Sequence, residues 1–369
     1  MLTDDIALTL EPEIGPRTAI HLMECFGSAE ALYAATEQEI VQRAQLKPGL
    51  AKSLSRKNFH RQAEQEIAFL EKHGIHAFVA TSPDYPALLK ECPDYPHVLY
   101  LKGDPALFDR RMVSMAGTRD VTTYGLKMCE ELVFGLAAQI PDLVIVSGLS
   151  GGVDTACHRA ALDAGVSTLG ILPNALTTIY PAHNTHMARE MVRLGGGILT
   201  EFHSRFTPHA SVFLQRNRLI AGLTPGTVIV ESPAEGGSLT TAQFALDYDR
   251  CLMAVPGRAT DPASAGTNNL IKHLKARMVC SAYDIVRELD WTPAPRQREP
   301  EAEESLEPDL SKDERGLLSC FRDREIVSSE ELAEWSGLSP AQLAPLLLGL
   351  EMAGAIRTLP GNRYEKTIP

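Results

Sequence analysis

Between residues 75 and 290 the chain alternates short apolar runs with longer amphipathic ones. The apolar runs are Ile75–Ala80, Val98–Lys102, Met112–Ala116, Leu143–Ser147, Thr168–Leu172, Ile198–Glu201, Thr227–Glu231 and Leu252–Val255. Continuous apolar runs of this length predict strands buried on both faces, and most are followed by Gly, Ser or Asn. The stretches between them, among them 125–139, 153–164, 183–194, 212–223, 238–248 and 267–276, carry helical periodicity. Strand and helix in alternation predict an α/β fold with a doubly wound parallel sheet.

The pattern changes at both ends. Residues 1–70 read as helical: Ile14-Gly15-Pro16-Arg17 leads into an amphipathic run, Phe26-Gly27-Ser28 breaks it, and another helix starts at Ala29. Short helices joined by a glycine turn suit a SAM-like or helix-hairpin-helix module, and a plain helical cap equally. Residues 293–309, PAPRQREPEAEESLEPD, are proline-rich and acidic and cannot bury enough surface to order themselves, which predicts a linker. Residues 310–369 show three helices and a hairpin around Pro360-Gly361-Asn362, the pattern of a winged helix. Ser328 and Ser339 each precede Glu331 and Gln342 by three positions, as in a capping box. The expected division is a helical domain over 1–70, an α/β core over 71–291, a linker over 292–309 and a winged-helix domain over 310–369.

Charge adds a local detail. The net charge is −12 over 369 residues, yet Ala164–Val230 holds five arginines and two carboxylates, and Phe202–Val230 holds no carboxylate. A local positive cleft on an acidic body attracts polyanions, because field focusing is local. The seven cysteines are dispersed without a C-x-x-C pair, so reduced core thiols are expected and no metal or cofactor is. The N-terminus has no signal-peptide charge pattern and no apolar run spans a bilayer, which leads us to expect a cytoplasmic protein without membrane contact.

The candidate chemistry gathers at strand ends. Gly117-Thr118-Arg119 follows one strand and offers backbone N–H, a hydroxyl and a planar fork for phosphate. Ser147-Gly148-Leu149-Ser150-Gly151-Gly152-Val153-Asp154 follows the next, with Gly148 and Gly152 admitting close backbone approach. Gly237 and Ser238 open a helix after a third strand, where anions bind in open α/β sheets. Phe213, Arg216, Asn217 and Arg218 lie on one helix; Phe213 and Arg216, three apart, share a face and suit base stacking beside a phosphate contact. Arg119 and Arg218 are expected to hold phosphate and to be replaceable without harm to the fold. Asp154 and His158, four apart, suit a structural contact better than a metal pair. No G-x-x-x-x-G-K-[ST] loop occurs, no nucleophile sits among these residues, and no catalytic residue is assigned.

These motifs resemble the DNA-processing protein A family (DprA/Smf). The segments GTR, SGLSGGVDTACHRAAL, FLQRNRLIAGL, GGSLTTAQFAL, AVPG and GTNNLI follow in that family's order over residues 110–272. The resemblance implies a Rossmann-like core that binds single-stranded DNA without hydrolysing nucleotide. It also implies a homodimer that helps load the RecA recombinase onto incoming DNA during natural transformation. Two positions depart from the family: Ser150-Gly151 stands where an arginine is common, and Leu214 where a proline is usual.

Two other functions fit less well. A phosphoribohydrolase of the lysine-decarboxylase-like group resembles this core, but its P-G-G-x-G-T-x-x-E signature meets Leu239 and Gln243 here, and glutamine is no carboxylate base. A transcriptional regulator would read duplex through the winged helix, whose presumptive recognition helix SPAQLAPLLLGLEMAG has no lysine or arginine.

Overall fold

The computed structural model describes residues 2–209, 211–292, 310–321 and 326–366. The expected linker over 293–309 lies outside them. The chain divides into two compact units, 1–295 and 296–369.

The first unit begins with helices α1 (Leu2–Leu10), α2 (Pro16–Phe26), α3 (Ala29–Ala34), α4 (Glu37–Ala44), α5 (Pro48–Ser55) and α6 (His60–His73). Gly27, with φ +81°, ends α2, and the Ser28 hydroxyl accepts from the Ala31 N–H to start α3, so the glycine break falls where the sequence placed it. The helices share one apolar core with Val79, Val98 and Tyr100 of the adjoining sheet. Two buried carboxylates on α1 are each met by a histidine: His60 Nε2 lies 2.8 Å from Asp4 Oδ1 and His97 Nε2 2.9 Å from Asp5 Oδ1.

The sheet that follows has nine strands among the described residues. They are β1 (His76–Val79), β2 (Val98–Gly103), β3 (Arg111–Ala116), β4 (Leu143–Ser147), β5 (Ser167–Ile171), β6 (Gly197–Thr200), β7 (Gly226–Ile229), β8 (Cys251–Ala254) and β9 (Arg277–Met278). Their order is β1-β2-β6-β5-β4-β3-β7-β8-β9. Strands β3 to β9 pair in parallel, whereas β1–β2 and β2–β6 pair antiparallel. The link from β2 to β3 is one short 3₁₀ turn, Pro105–Asp109, with no crossover helix, so the chain re-enters the sheet from the end it left. The helices are α7 (Ala87–Lys90), α8 (Thr123–Ala137), α9 (Val153–Asp163), α10 (Thr185–Arg193), α11 (Val212–Gly222), α12 (Ser238–Asp247), α13 (Ala265–Lys272) and α14 (Ala282–Glu288). Alternate strand residues feed two cores: Val144 and Val146 meet Leu219 and Ala242 on one face, while Leu143 and Ile145 meet Leu132 and Cys157 on the other. The chain runs from β3 outward to β6, then returns to place β7 on the other side of β3. That reversal is the topological switch point, where open α/β sheets take their ligands.

The second unit holds α15 (Lys312–Ser319), β10 (Ile326–Ser328), α16 (Ser329–Ser336), α17 (Pro340–Met352), β11 (Ile356–Leu359) and β12 (Arg363–Lys366), with sheet order β10-β12-β11. Both expected capping boxes are present, at Ser328 with Glu331 and at Ser339 with Gln342. Three helices against a small antiparallel sheet make the expected winged helix.

Candidate nucleic-acid interface

Three loops meet at the switch point, each leaving the carboxyl end of a strand. A cavity of about 370 Å³ opens among them, walled by Gly117, Thr118, Arg119 and Asp120 after β3, Ser150 and Asp154 after β4, and Gly236, Gly237 and Ser238 after β7. The first turns of α11 close it with Phe213, Leu214, Arg216 and Asn217.

Glu231, at the end of β7, sets the first loop. Its buried carboxylate accepts from Thr122 N–H at 2.8 Å and Thr122 Oγ1 at 2.6 Å, and its carbonyl accepts from Thr118 N–H at 2.8 Å. A carboxylate is rarely buried without such partners. The second loop lies close against the first. Gly152 has φ +75° and donates no side chain, and a Cβ there would collide with the Thr118 and Arg119 carbonyls. Gly117 is crowded in the same way by Val153 and the Glu231 carbonyl.

Arg216 is the floor of the pocket. Its buried guanidinium donates to the carbonyls of Gly148 and Ile171, to Asn217 Oδ1 at 3.2 Å and to Ser150 Oγ at 3.4 Å. Burial pulls it down to about 10 against the support of Asp154. The same burial raises the Asp154 carboxyl, and Arg216 opposes that rise. Arg216 is therefore a strut that shapes the Gly148–Ser150 loop and presents only part of its fork to a ligand.

Arg218 is not in this pocket. Its guanidinium donates to Glu201 and, at 2.8 Å, to the Asp94 carbonyl, and it is buried. Residues two apart on a helix face different ways, so Arg216 and Arg218 could not share one anion. This corrects two expectations. Arg218 is a buried ion-pair residue, and of the five arginines of 164–230 Arg216 alone lines the pocket, where it faces Asp154. Arg119 remains: it is exposed and forms no ion pair or hydrogen bond among the described residues. Asp154 and His158 do not pair. Asp154 accepts from Ser150 N–H at 3.2 Å, while His158 Nδ1 lies 2.6 Å from Thr168 Oγ1 and burial drives its imidazole down to about 3.

The family model described as DNA recombination-mediator protein A matches residues 76–290, and the DprA winged helix domain matches 300–362. Protein Smf of Escherichia coli is 31% identical over 303 residues, covering 81% of this chain and 79% of its own length. The chain belongs to the DprA/Smf family. The DNA processing protein DprA of Bacillus subtilis is 34% identical over 68% of this chain and 83% of its own. The X-ray structure of DprA from Streptococcus pneumoniae aligns with a TM-score of 0.67 at 28% identity, covering 78% of this chain and 98% of that one.

In this DprA/Smf chain most of the candidate residues gather at one place. Gly117, Thr118, Arg119, Phe213, Arg216, Asn217, Gly237 and Ser238 line one cavity, and Gly148 and Gly152 shape its loops. Ser150 touches Arg216, and a Cβ on Gly151 would meet nothing within 4 Å. Three contributors escaped the sequence reading. Glu231 and Thr122 hold the first loop, and Tyr180 packs edge-on against Phe213 at 5.2 Å between ring centroids. The one available signal was a glutamate closing the apolar run TVIVE.

Proposed function

We propose that this chain binds single-stranded DNA at the switch-point pocket, without ATP, metal or catalysis of its own. The observation that carries the reading is the pocket's combination of groups. Arg119 projects unpaired, no side chain caps the N-terminus of α12, and Phe213 offers a half-buried ring beside them. The helix end and arginine suit phosphate, and the ring suits a base of any sequence. The structure of DNA processing protein A from Helicobacter pylori, a protein with a unique single-stranded DNA binding mode, is similar at 30% identity with a TM-score of 0.53, covering 59% of this chain and 97% of that one. In line with the family, we further propose a cytoplasmic homodimer that protects incoming single strands and hands them to the RecA recombinase during natural transformation.

The phosphoribohydrolase alternative loses support at Gln243, which is exposed and bonded to Asp247 at 2.7 Å outside the pocket lining. The regulator alternative loses support in the winged helix: α17 carries no cation, and Arg357 is engaged with Glu365 at 3.0 Å.

The test is a gel-shift titration of single-stranded against duplex DNA at two salt concentrations. Single strands should bind more tightly. One uncommitted arginine plus a helix N-terminus predicts a shallow log–log salt slope of roughly −1 to −2, from about −0.7 per phosphate. Equal affinity for duplex would refute the reading.

Gly237 gives a sharper check. Its φ of −61° needs no glycine, and a Cβ there meets nothing within 4 Å. Gly237→Ala should leave the melting temperature unchanged and weaken single-strand binding by about threefold to tenfold, or roughly 0.7–1.4 kcal/mol. Undiminished binding would show that no backbone phosphate approaches this helix end.

A further inference from the structure

The second large cavity of the first unit is a cleft of about 810 Å³ between the N-terminal helices and the α/β core. It shares a wall with the switch-point pocket. Phe213, Leu214, Arg216 and Asn217 of α11 face the pocket, and Val212, Gln215 and Arg218 of the same helix face the cleft. One helix, about 10 Å across with its side chains, separates the two. Leu214, at the N-terminal turn over which a strand would pass, is half exposed.

We propose that this cleft receives a further nucleotide of the same bound strand, its base stacked on Phe206 and its phosphate at Arg17. The inference rests on the single-strand reading above. Phe206 is stacked on Phe202 with centroids 3.9 Å apart, and both rings line the cleft with Phe244. A stacked pair held in place is a ready platform for a planar base. The cleft interior suits a base better than a phosphate. Glu11, Asp94 and Glu201 line it, and carboxylates repel phosphate but accept from the N–H groups of bases, the ring N3–H of thymine included. The rim suits the phosphate. Arg17 is exposed, has no ion pair among the described residues, and stands in the first turn of α2, whose N-terminus at Gly15 lacks a side-chain cap. The platform is anchored by the N-terminal helices. The buried Glu66 carboxylate of α6 accepts from Ser204 N–H at 2.7 Å and Ser204 Oγ at 2.5 Å, between the two stacked phenylalanines in sequence. The helical module would thus extend the DNA path beyond the glycine loops.

The experiment compares the full chain with Arg17→Ala, Phe206→Ala and Arg119→Ala. Probes are fluorescent oligothymidylates of about four and about twenty nucleotides, one at the lower end of single-strand site sizes and one beyond the upper end. Arg17→Ala and Phe206→Ala should each weaken the longer probe by about fivefold or more, as loss of a stacked base or a phosphate contact does, and leave the shorter one unchanged. A long probe carrying 5-iodouracil should photocrosslink within residues 202–209. Arg17 is exposed, so its variant reads the site without risk to the fold, and crosslinking needs no variant at all. If Arg119→Ala loses affinity while Arg17→Ala and Phe206→Ala do not and no crosslink maps to 202–209, the cleft lies off the DNA path and the pocket reading stands alone. If Arg119→Ala also binds both probes normally, both readings fall. Crosslinking that free thymidine monophosphate suppresses, with no dependence on probe length, would assign the cleft to a free nucleotide and overturn the continuous path.

Discussion

Arg218→Ala is expected to destabilise the α/β unit by about 3–5 kcal/mol, the usual cost of removing one partner of a buried ion pair. The guanidinium is buried, donates to Glu201 and the Asp94 carbonyl, and Asp94 in turn accepts from Tyr248 Oη at 2.5 Å. Its loss strands the Glu201 carboxylate beside Asp94. Burial already pushes the Glu201 carboxyl up from 4.5, with Arg218 pulling it back. Without Arg218 it rises further, so the folded variant holds a proton that the unfolded chain releases. A folded value above the unfolded one means that stability falls as pH climbs between the two. The deficit should therefore be smallest below the ordinary 4.5 and grow toward neutrality. Urea unfolding at mildly acidic and neutral pH checks both size and sign. The pair Arg218→Met with Glu201→Leu should recover most of the loss, because an apolar pair of similar volume needs no desolvation. Wild-type stability of Arg218→Ala would show that the ion pair contributes nothing.

The sequence announced the strands well because parallel strands buried on both faces are apolar along most of their length, as Leu143–Val146 is. It announced the glycine loops because Gly152 is crowded by the Thr118 and Arg119 backbone, and Gly117 by the Val153 side chain and the Glu231 carbonyl, too closely for a Cβ. Phe213 and Arg216 came together as a helical spacing of three demands. The same arithmetic, applied to Arg216 and Arg218, separates them, and a bare count of arginines passes over it. What the sequence could not disclose is pairing across the sheet. Glu201 meets Arg218 only 17 residues on, through the turn from β6 into α11, while Asp154 faces Arg216 and Glu231 meets Thr122 only after strands distant in sequence become neighbours. Strand β9 escaped because two exposed residues carry no periodicity.

The same pairing leaves Arg119 as the uncommitted arginine among the described residues that line the switch-point pocket. Arg119→Ala should leave thermal stability within about 0.5 kcal/mol of wild type, as exposed residues without partners do. Single-strand affinity should fall by roughly tenfold to a hundredfold, since a hydrogen bond to a charged group contributes about 1.5–3 kcal/mol. The log–log salt slope should flatten by about 0.7, one phosphate's worth. Arg119→Lys separates charge from geometry. An ammonium restores the released counterion and hence the slope, but not the bidentate fork, so affinity should recover only in part. Fluorescence anisotropy with an oligothymidylate at two salt concentrations reads all three quantities. If Arg119→Ala binds with unchanged affinity and slope, the exposed fork is not a phosphate ligand. The α12 N-terminus and Arg216 would then have to hold the strand. Arg216 is poorly placed for that, because most of its donors are already taken by the Gly148 and Ile171 carbonyls and Asn217.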